Sequence, residues 1–248
     1  MTSANERPVV LLTGAARRVG AAIARTLHAA GYDLALHCRH SRTELDALLV
    51  ELEIARPSST LALQADLADV ERLPQLVAAT VARFGRLDGL VNNASGFTPT
   101  PIGSITPAQW DTLFAANARA PLFLAQAAAP HLAASRGAIV NLVDIYAERP
   151  LAQHSVYCMA KAALVMATRA LALDLAPNVR VNGVAPGAVL WPDAGKTSSE
   201  QAQVIANTPL QRTGTPADVA GAVLWLLRDA VFVTGQIIRV DGGRLLGA

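Results

Sequence analysis

The stretch PVVLLTGAARRVGAAIARTLHAAG, residues 8–31, runs from a short apolar segment through a glycine turn into a segment of helical spacing. "PVVLLTG" is short and ends in a turn, so it reads as a buried strand, whereas "VGAAIARTLHAAG" repeats its apolar residues at helical spacing and stops at Gly31. The same alternation recurs along the chain. "YDLALHC" is a second buried strand, followed by a charged helix from about Arg42 to Arg56. "TLALQAD" is a third strand, and "DVERLPQLVAATVARFG" a helix with Pro74 near its start. "LDGLVNNAS" is a fourth strand that runs into a Gly/Pro-rich loop and then a long helical zone from about Pro107 to Ser135. "GAIVNLVD" is the fifth strand, "HSVYCMAKAALVMATRALALDLA" a long helix, "VRVNGVAPG" the sixth strand and "GQIIRVDGG" the seventh. Strands alternating with helices predict parallel βαβ units with right-handed crossovers, hence an α/β sheet covered on both faces. No repeat, low-complexity tract or linker interrupts the pattern, so residues 1–248 read as a single domain.

Composition narrows the function classes. With 52% hydrophobic and 16% charged residues the chain is not disordered. Its net charge of +2, without a Lys/Arg run, gives no nucleic-acid footprint. Cys38 and Cys158 are far apart in sequence, which suits a reduced cytoplasmic protein better than a disulfide or metal framework. "MTSANERP" lacks the apolar core of a signal peptide, and no uninterrupted apolar run reaches membrane-spanning length. The histidines at 28, 37, 131 and 154 have no spacing that suggests a metal or a triad, so no metal is expected and they are read as structural or surface residues.

Ligands of open α/β sheets bind at the carboxyl ends of the strands, where the winding order reverses. After the first strand comes "TGAARRVG", Thr13 to Gly20. Gly14 allows a tight turn there, Gly20 a close helix–sheet approach, and the following helix N-terminus an anion site. An ordinary turn would use glycines too, but the position as the first βα turn favours a dinucleotide pyrophosphate. An acidic residue after strand two would select NAD; "HCRHS" instead offers Arg39, His40 and Ser41, which can hold a 2′-phosphate or can form a plain basic loop. NADPH is the expected cofactor. Arg18 is expected to add charge from the glycine turn, Asp66 and Leu67 to lie near an adenine site, and Asn93, Ala94 and Ser95 of "NNAS" to line the cofactor's spine.

Tyr157 and Lys161, at i and i+4, share a helix face. Lys161 is expected to lower the phenol's pKa so that Tyr157 exchanges a proton near neutrality. A plain surface pair has the same spacing. It gains meaning from its company, since the TG turn, NNAS, Asn117, YCMAK, APG and VDGG follow one another in that order.

That ordered set resembles the short-chain dehydrogenase/reductase family from Thr13 to Gly243. The resemblance implies a Rossmann-type, doubly wound, seven-stranded parallel sheet. It implies Tyr157 as proton donor, Lys161 on the nicotinamide ribose, and Asn117 supporting a proton-relay water. Pro186 and Gly187 of APG join the cofactor contacts. Two positions depart from the family pattern: Arg18 stands where TGxxxGxG has its middle glycine, and Asp144 where a serine partners the tyrosine.

Both departures occur together in the pteridine reductase branch, which "TGAARRVG", "LHCRHS", "VNNASGFTPTP", "VDIYAERPL" with "YCMAK", and "PGAVLWP" also resemble. By that resemblance Phe97 stacks on a pterin, Arg18 and Ser95 contact pterin and phosphates, and Asp144 with Tyr157 handles protons at the ring. Leu190 and Trp191 join the substrate contacts, and residues 188–213 form a lid. The substrate implied is a dihydropterin (dihydrobiopterin or dihydromonapterin) or dihydrofolate, and the assembly a homotetramer built on the two long helical zones. Phe97 could instead anchor its loop, and Asp144 could cap a strand end. A carbonyl or 3-oxoacyl thioester reductase of the same family, and a non-catalytic NADP sensor, are the rival readings.

Overall fold

The structure, a computed structural model, describes residues 7–190 and 197–247. Seven parallel strands form one sheet: β1 (Val9–Leu12), β2 (Asp33–Cys38), β3 (Thr60–Gln64), β4 (Gly89–Asn92), β5 (Ala138–Leu142), β6 (Arg180–Pro186) and β7 (Ile237–Val240). Their spatial order is β3-β2-β1-β4-β5-β6-β7, so the winding reverses between β1 and β4. Every residue of β1, β2, β4 and β5 is buried, which is what a parallel sheet covered on both faces requires.

The two covering layers come from helices that bury apolar side chains against the sheet. On one face α1 (Arg18–Ala29) and α8 (Pro216–Arg228) pack Ile23, Leu27, Val219 and Leu226 against Val10, Leu12 and Leu34. On the other, α3 (Leu73–Phe84) and α5 (Ala120–Ser135) pack Leu73, Leu76, Leu124 and Leu132 against Val9, Leu11 and Ile139. The remaining helices are α2 (Arg42–Ala55), α4 (Pro107–Phe114), α6 (Ser155–Asp174) and α7 (Ser198–Ala206). Capping boxes start α4 at Thr106 and Gln109, α7 at Thr197 and Glu200, and α8 at Thr215 and Asp218.

Two elements differ from the sequence expectations. Helix α8 has no counterpart among them, although its Thr-Pro-Ala-Asp start carries the capping signal. The expected continuous zone from Pro107 to Ser135 is broken by a π-helical turn over Ala115–Arg119. Pro121 has no N–H to give the Asn117 carbonyl four residues back, and the Asn117 amide donates to the Gly96 and Leu113 carbonyls, both at 2.9 Å. Helix α6, expected as a long helix, is long and apolar enough by length and composition to cross a membrane, although Lys161 and Arg169 interrupt its apolar run; half of its apolar window is buried in this fold.

Candidate active site

The crevice at the β1/β4 switch point is a cleft of about 680 Å³. Gly14, Arg18, Val19, Gly20, Arg39, His40, Ser41, Asp66, Leu67, Asn93, Ala94 and Ser95 line it, all of them expected at the cofactor. Arg17, Asp111, Thr112 and Arg119 line it too, and the sequence assigned none of them a role. Gly14 has φ +64°, and a Cβ there would lie 2.8 Å from the Ala94 Cα. At Gly20 a Cβ would come within 2.1 Å of the Gly14 carbonyl oxygen. Only glycine fits at these two positions. No side chain caps the α1 N-terminus and its first turn holds no acid, so its dipole faces the cleft uncompensated. The cradle suits a dinucleotide pyrophosphate.

Thr13 works behind the cleft rather than in it. Its buried hydroxyl accepts from the Asn93 and Ala94 N–H groups at 3.0 and 3.1 Å, and the Asn93 amide donates to the Thr13 and Gly14 carbonyls, both at 2.9 Å. These bonds tie the end of β4 to the glycine turn. Arg39 is paired with Asp66 at 2.8 Å, so two residues expected to serve the 2′-phosphate and the adenine meet each other at the rim. Pro186 and Gly187 close β6 outside the cleft lining, and the Gly187 N–H donates to the Val240 carbonyl at 3.0 Å.

At the carboxyl end of β5, Asp144 divides its oxygens between two tasks. Oδ1 accepts from the Tyr146 N–H at 2.9 Å and caps the 3₁₀ turn Ile145–Ala147; Oδ2 accepts from the Tyr157 hydroxyl at 2.6 Å. The strand-end cap and the tyrosine partner are thus one residue. Burial raises the Asp144 carboxyl above the usual carboxylate range, against the pull of the two donors. Lys161, 2% exposed, donates from Nζ to the Leu142 carbonyl at 2.8 Å and lies 5.8 Å from the centroid of the Tyr157 ring. Burial pulls its pKa down to about 8. The phenol does not behave as expected from Lys161 alone. Burial first, then the charge and hydrogen bond of Asp144, push Tyr157 well above its ordinary value. Tyr157 therefore keeps its proton at neutral pH.

Around this pair the other site residues converge. The Ser95 hydroxyl donates to the Asn117 Oδ1 at 2.7 Å, which joins the NNAS loop to the π turn. Phe97, 48% exposed, meets Tyr157 edge-on with ring centroids 4.8 Å apart. On Phe97 also stacks His154, at 4.6 Å and 20°.

A family model described as enoyl-(acyl carrier protein) reductase matches residues 14–244. Pteridine reductase 1 of Leishmania tarentolae is 38% identical, over 98% of both chains. The chain belongs to the short-chain dehydrogenase/reductase family. Other members at similar distance act on different substrates by name. L-fucose dehydrogenase of Mus musculus is 36% identical over 96% of this chain and 89% of its own, and versicolorin reductase 1 of Aspergillus parasiticus is 33% identical over 95% of both. Membership makes the chain an oxidoreductase that uses a nicotinamide cofactor.

Within this short-chain dehydrogenase/reductase fold, the sequence reading missed His154 and His37. Neither has a recognisable motif, and only the tertiary structure brings them to Phe97 and to the glycine turn. Of the segment from 188 to 213, Trp191 lies outside the described residues. Leu190 is half-exposed beside that gap, and the C-terminal part carries α7.

Proposed function

We propose that the protein is an NADPH-dependent pteridine reductase that reduces a ring C=N bond of a dihydropterin. The observation that carries this reading is the 2.6 Å hydrogen bond from the Tyr157 hydroxyl to Asp144. A serine in that place could orient a tyrosine toward a ketone oxygen. A carboxyl whose pKa burial raises can itself hold a proton, so this pair can carry one more than a Ser–Tyr pair. Protonating a ring nitrogen while carbon accepts hydride is the task that uses it.

NADPH, lying along the cleft with its 2′-phosphate near Arg39, His40 and Ser41, would supply the hydride. The chain's own residues do the rest. Phe97 presents a half-exposed ring beside Tyr157 against which a flat heterocycle can stack. Tyr157 delivers its proton to the ring nitrogen, and Asp144 replaces it. The Lys161 ammonium stabilises negative charge on the phenol oxygen as the proton leaves. Asn117 and Ser95 fix the loop that carries Phe97. The similarity to pteridine reductase 1 supports the same substrate class.

A carbonyl reductase is the second reading, favoured by the family model's description and by similarity to versicolorin reductase 1. The test is NADPH oxidation against dihydrobiopterin, dihydromonapterin, dihydrofolate and a 3-oxoacyl thioester. Turnover with a dihydropterin and not with the thioester is expected; the reverse pattern would replace the proposal with the second reading.

A further inference from the structure

We propose that His37 is a positioning residue of the cofactor site: its neutral ring clamps the glycine turn to the segment that follows β3. The ring is 1% exposed at the back of the cleft. Its Nδ1 accepts from the Gly14 N–H at 3.4 Å, and its Nε2 meets the Ala65 carbonyl at 3.1 Å. These partners fix the tautomer. A carbonyl can only accept, so Nε2 carries the hydrogen; an N–H can only donate, so Nδ1 must be bare. The backbone of the same residue repeats the link, because the His37 carbonyl accepts from the Ala15 N–H at 2.8 Å.

The two ends of this clamp are the walls of the dinucleotide site. Gly14 begins the pyrophosphate turn, and Ala65 precedes Asp66 and Leu67 on the adenine side. Protonation of Nδ1 would set one N–H against another at Gly14 and push the turn away from its position. Burial is the main influence on the ring and lowers its pKa below the ordinary histidine value. The groups facing it are few. From the turn come Thr13, Gly14 and Ala15, none of which titrates. From the third strand comes Leu63, paired in register, and from the segment after it Ala65 and Asp66, whose charge favours the cation and is itself paired with Arg39. Cys38 ends the same strand and Arg39 follows it in the turn. The neutral, singly protonated ring is therefore the form built into the site.

The inference concerns cofactor binding and stands on the nicotinamide cofactor of the family, whatever the second substrate. Its test is calorimetric titration with NADP+ between pH 5 and pH 8, on the parent, His37→Gln and His37→Leu, with circular dichroism to establish folding. Glutamine can accept from Gly14 and donate to Ala65 but does not titrate. Protonation of the cofactor's own phosphate acts on all variants alike and cancels in the comparison. On acidification below the His37 pKa, the parent's Kd is expected to rise by about tenfold per pH unit more than that of His37→Gln. His37→Leu, if folded, should bind at least about tenfold more weakly at pH 8, having lost both bonds at once. A folded His37→Leu with the parent's affinity would overturn the proposal, as would a His37→Gln that binds no more tightly than His37→Leu.

Discussion

Replacing Asp144 with serine separates the two tasks of that side chain. A serine hydroxyl can still accept from the Tyr146 N–H and cap the Ile145–Ala147 turn, so stability should change by no more than about 1 kcal/mol. It cannot store the additional proton, and its shorter side chain gives up the 2.6 Å bond that orients the Tyr157 hydroxyl. An ordinary hydrogen bond contributes about 0.5–1.5 kcal/mol, which as lost positioning is roughly 2- to 12-fold in rate. A positioned acid–base group contributes about 10²- to 10⁴-fold. The two overlap, so kcat for dihydrobiopterin should fall by at least about 10²-fold. NADP+ affinity should be unchanged, since no bond from Asp144 reaches the cleft lining. Tyr157→Phe should cost at least as much, and the double variant little more than the worse single one, as expected of groups that act as a unit. Steady-state kinetics, a thermal melt and NADP+ calorimetry on the three variants suffice. A serine variant that reduces dihydrobiopterin at the parent's rate would refute the role of the carboxyl.

The other predictions concern the surroundings of that pair. Arg39→Asp should lose the preference for NADPH over NADH by about tenfold or more, because a bidentate charged contact to phosphate is worth about 1.5–3 kcal/mol; equal use of both cofactors by the parent would contradict this. The Arg39–Asp66 pair lost with it is exposed and should cost under about 1 kcal/mol of stability. Phe97→Ala should raise the dihydropterin KM by about 2- to 12-fold, the equivalent of about 0.5–1.5 kcal/mol for an aromatic pair, and leave NADP+ binding unaltered; collapse of NADP+ binding would make Phe97 a loop anchor. Lys161 gives pH effects of opposite sign. Activity should decline as pH rises through about 8, where its ammonium is lost. Its folded pKa lies below its ordinary value, so between about 8 and 10.5 the unfolded chain binds more protons and this group's contribution to stability rises with pH. Lys161→Met should abolish both trends in rate and melting profiles.

The parallel sheet was legible because its strands are near-continuous apolar runs separated by helical spacing, as in "VVLL" and "DLALHC". Most cofactor-lining residues were legible for a related reason, since they sit on the turns directly after those strands. What stayed hidden depends on distances between segments far apart in the chain. The Arg39–Asp66 pair joins the turns after two neighbouring strands, and either residue alone suggests a different task. The π turn follows from Pro121 together with the Asn117 amide, which periodicity does not register. The pKa of Tyr157 was misjudged because the i,i+4 lysine is visible in sequence, whereas burial and the geometry of the Asp144 bond are not. Helix α8 combines a capping box with an apolar stripe, both readable, and shows that a missed element need not be an obscure one.

Hydride transfer to a ring C=N can be followed atom by atom. NADPH carrying deuterium at the transferring position, incubated with 7,8-dihydrobiopterin and the protein, should yield tetrahydrobiopterin with one deuterium on ring carbon, detected by mass spectrometry and proton NMR. The yield should drop at least about 10²-fold with Asp144→Ser. Unlabelled dihydrobiopterin recovered intact, alongside a labelled alcohol from a 3-oxoacyl thioester in the parallel reaction, would contradict the account.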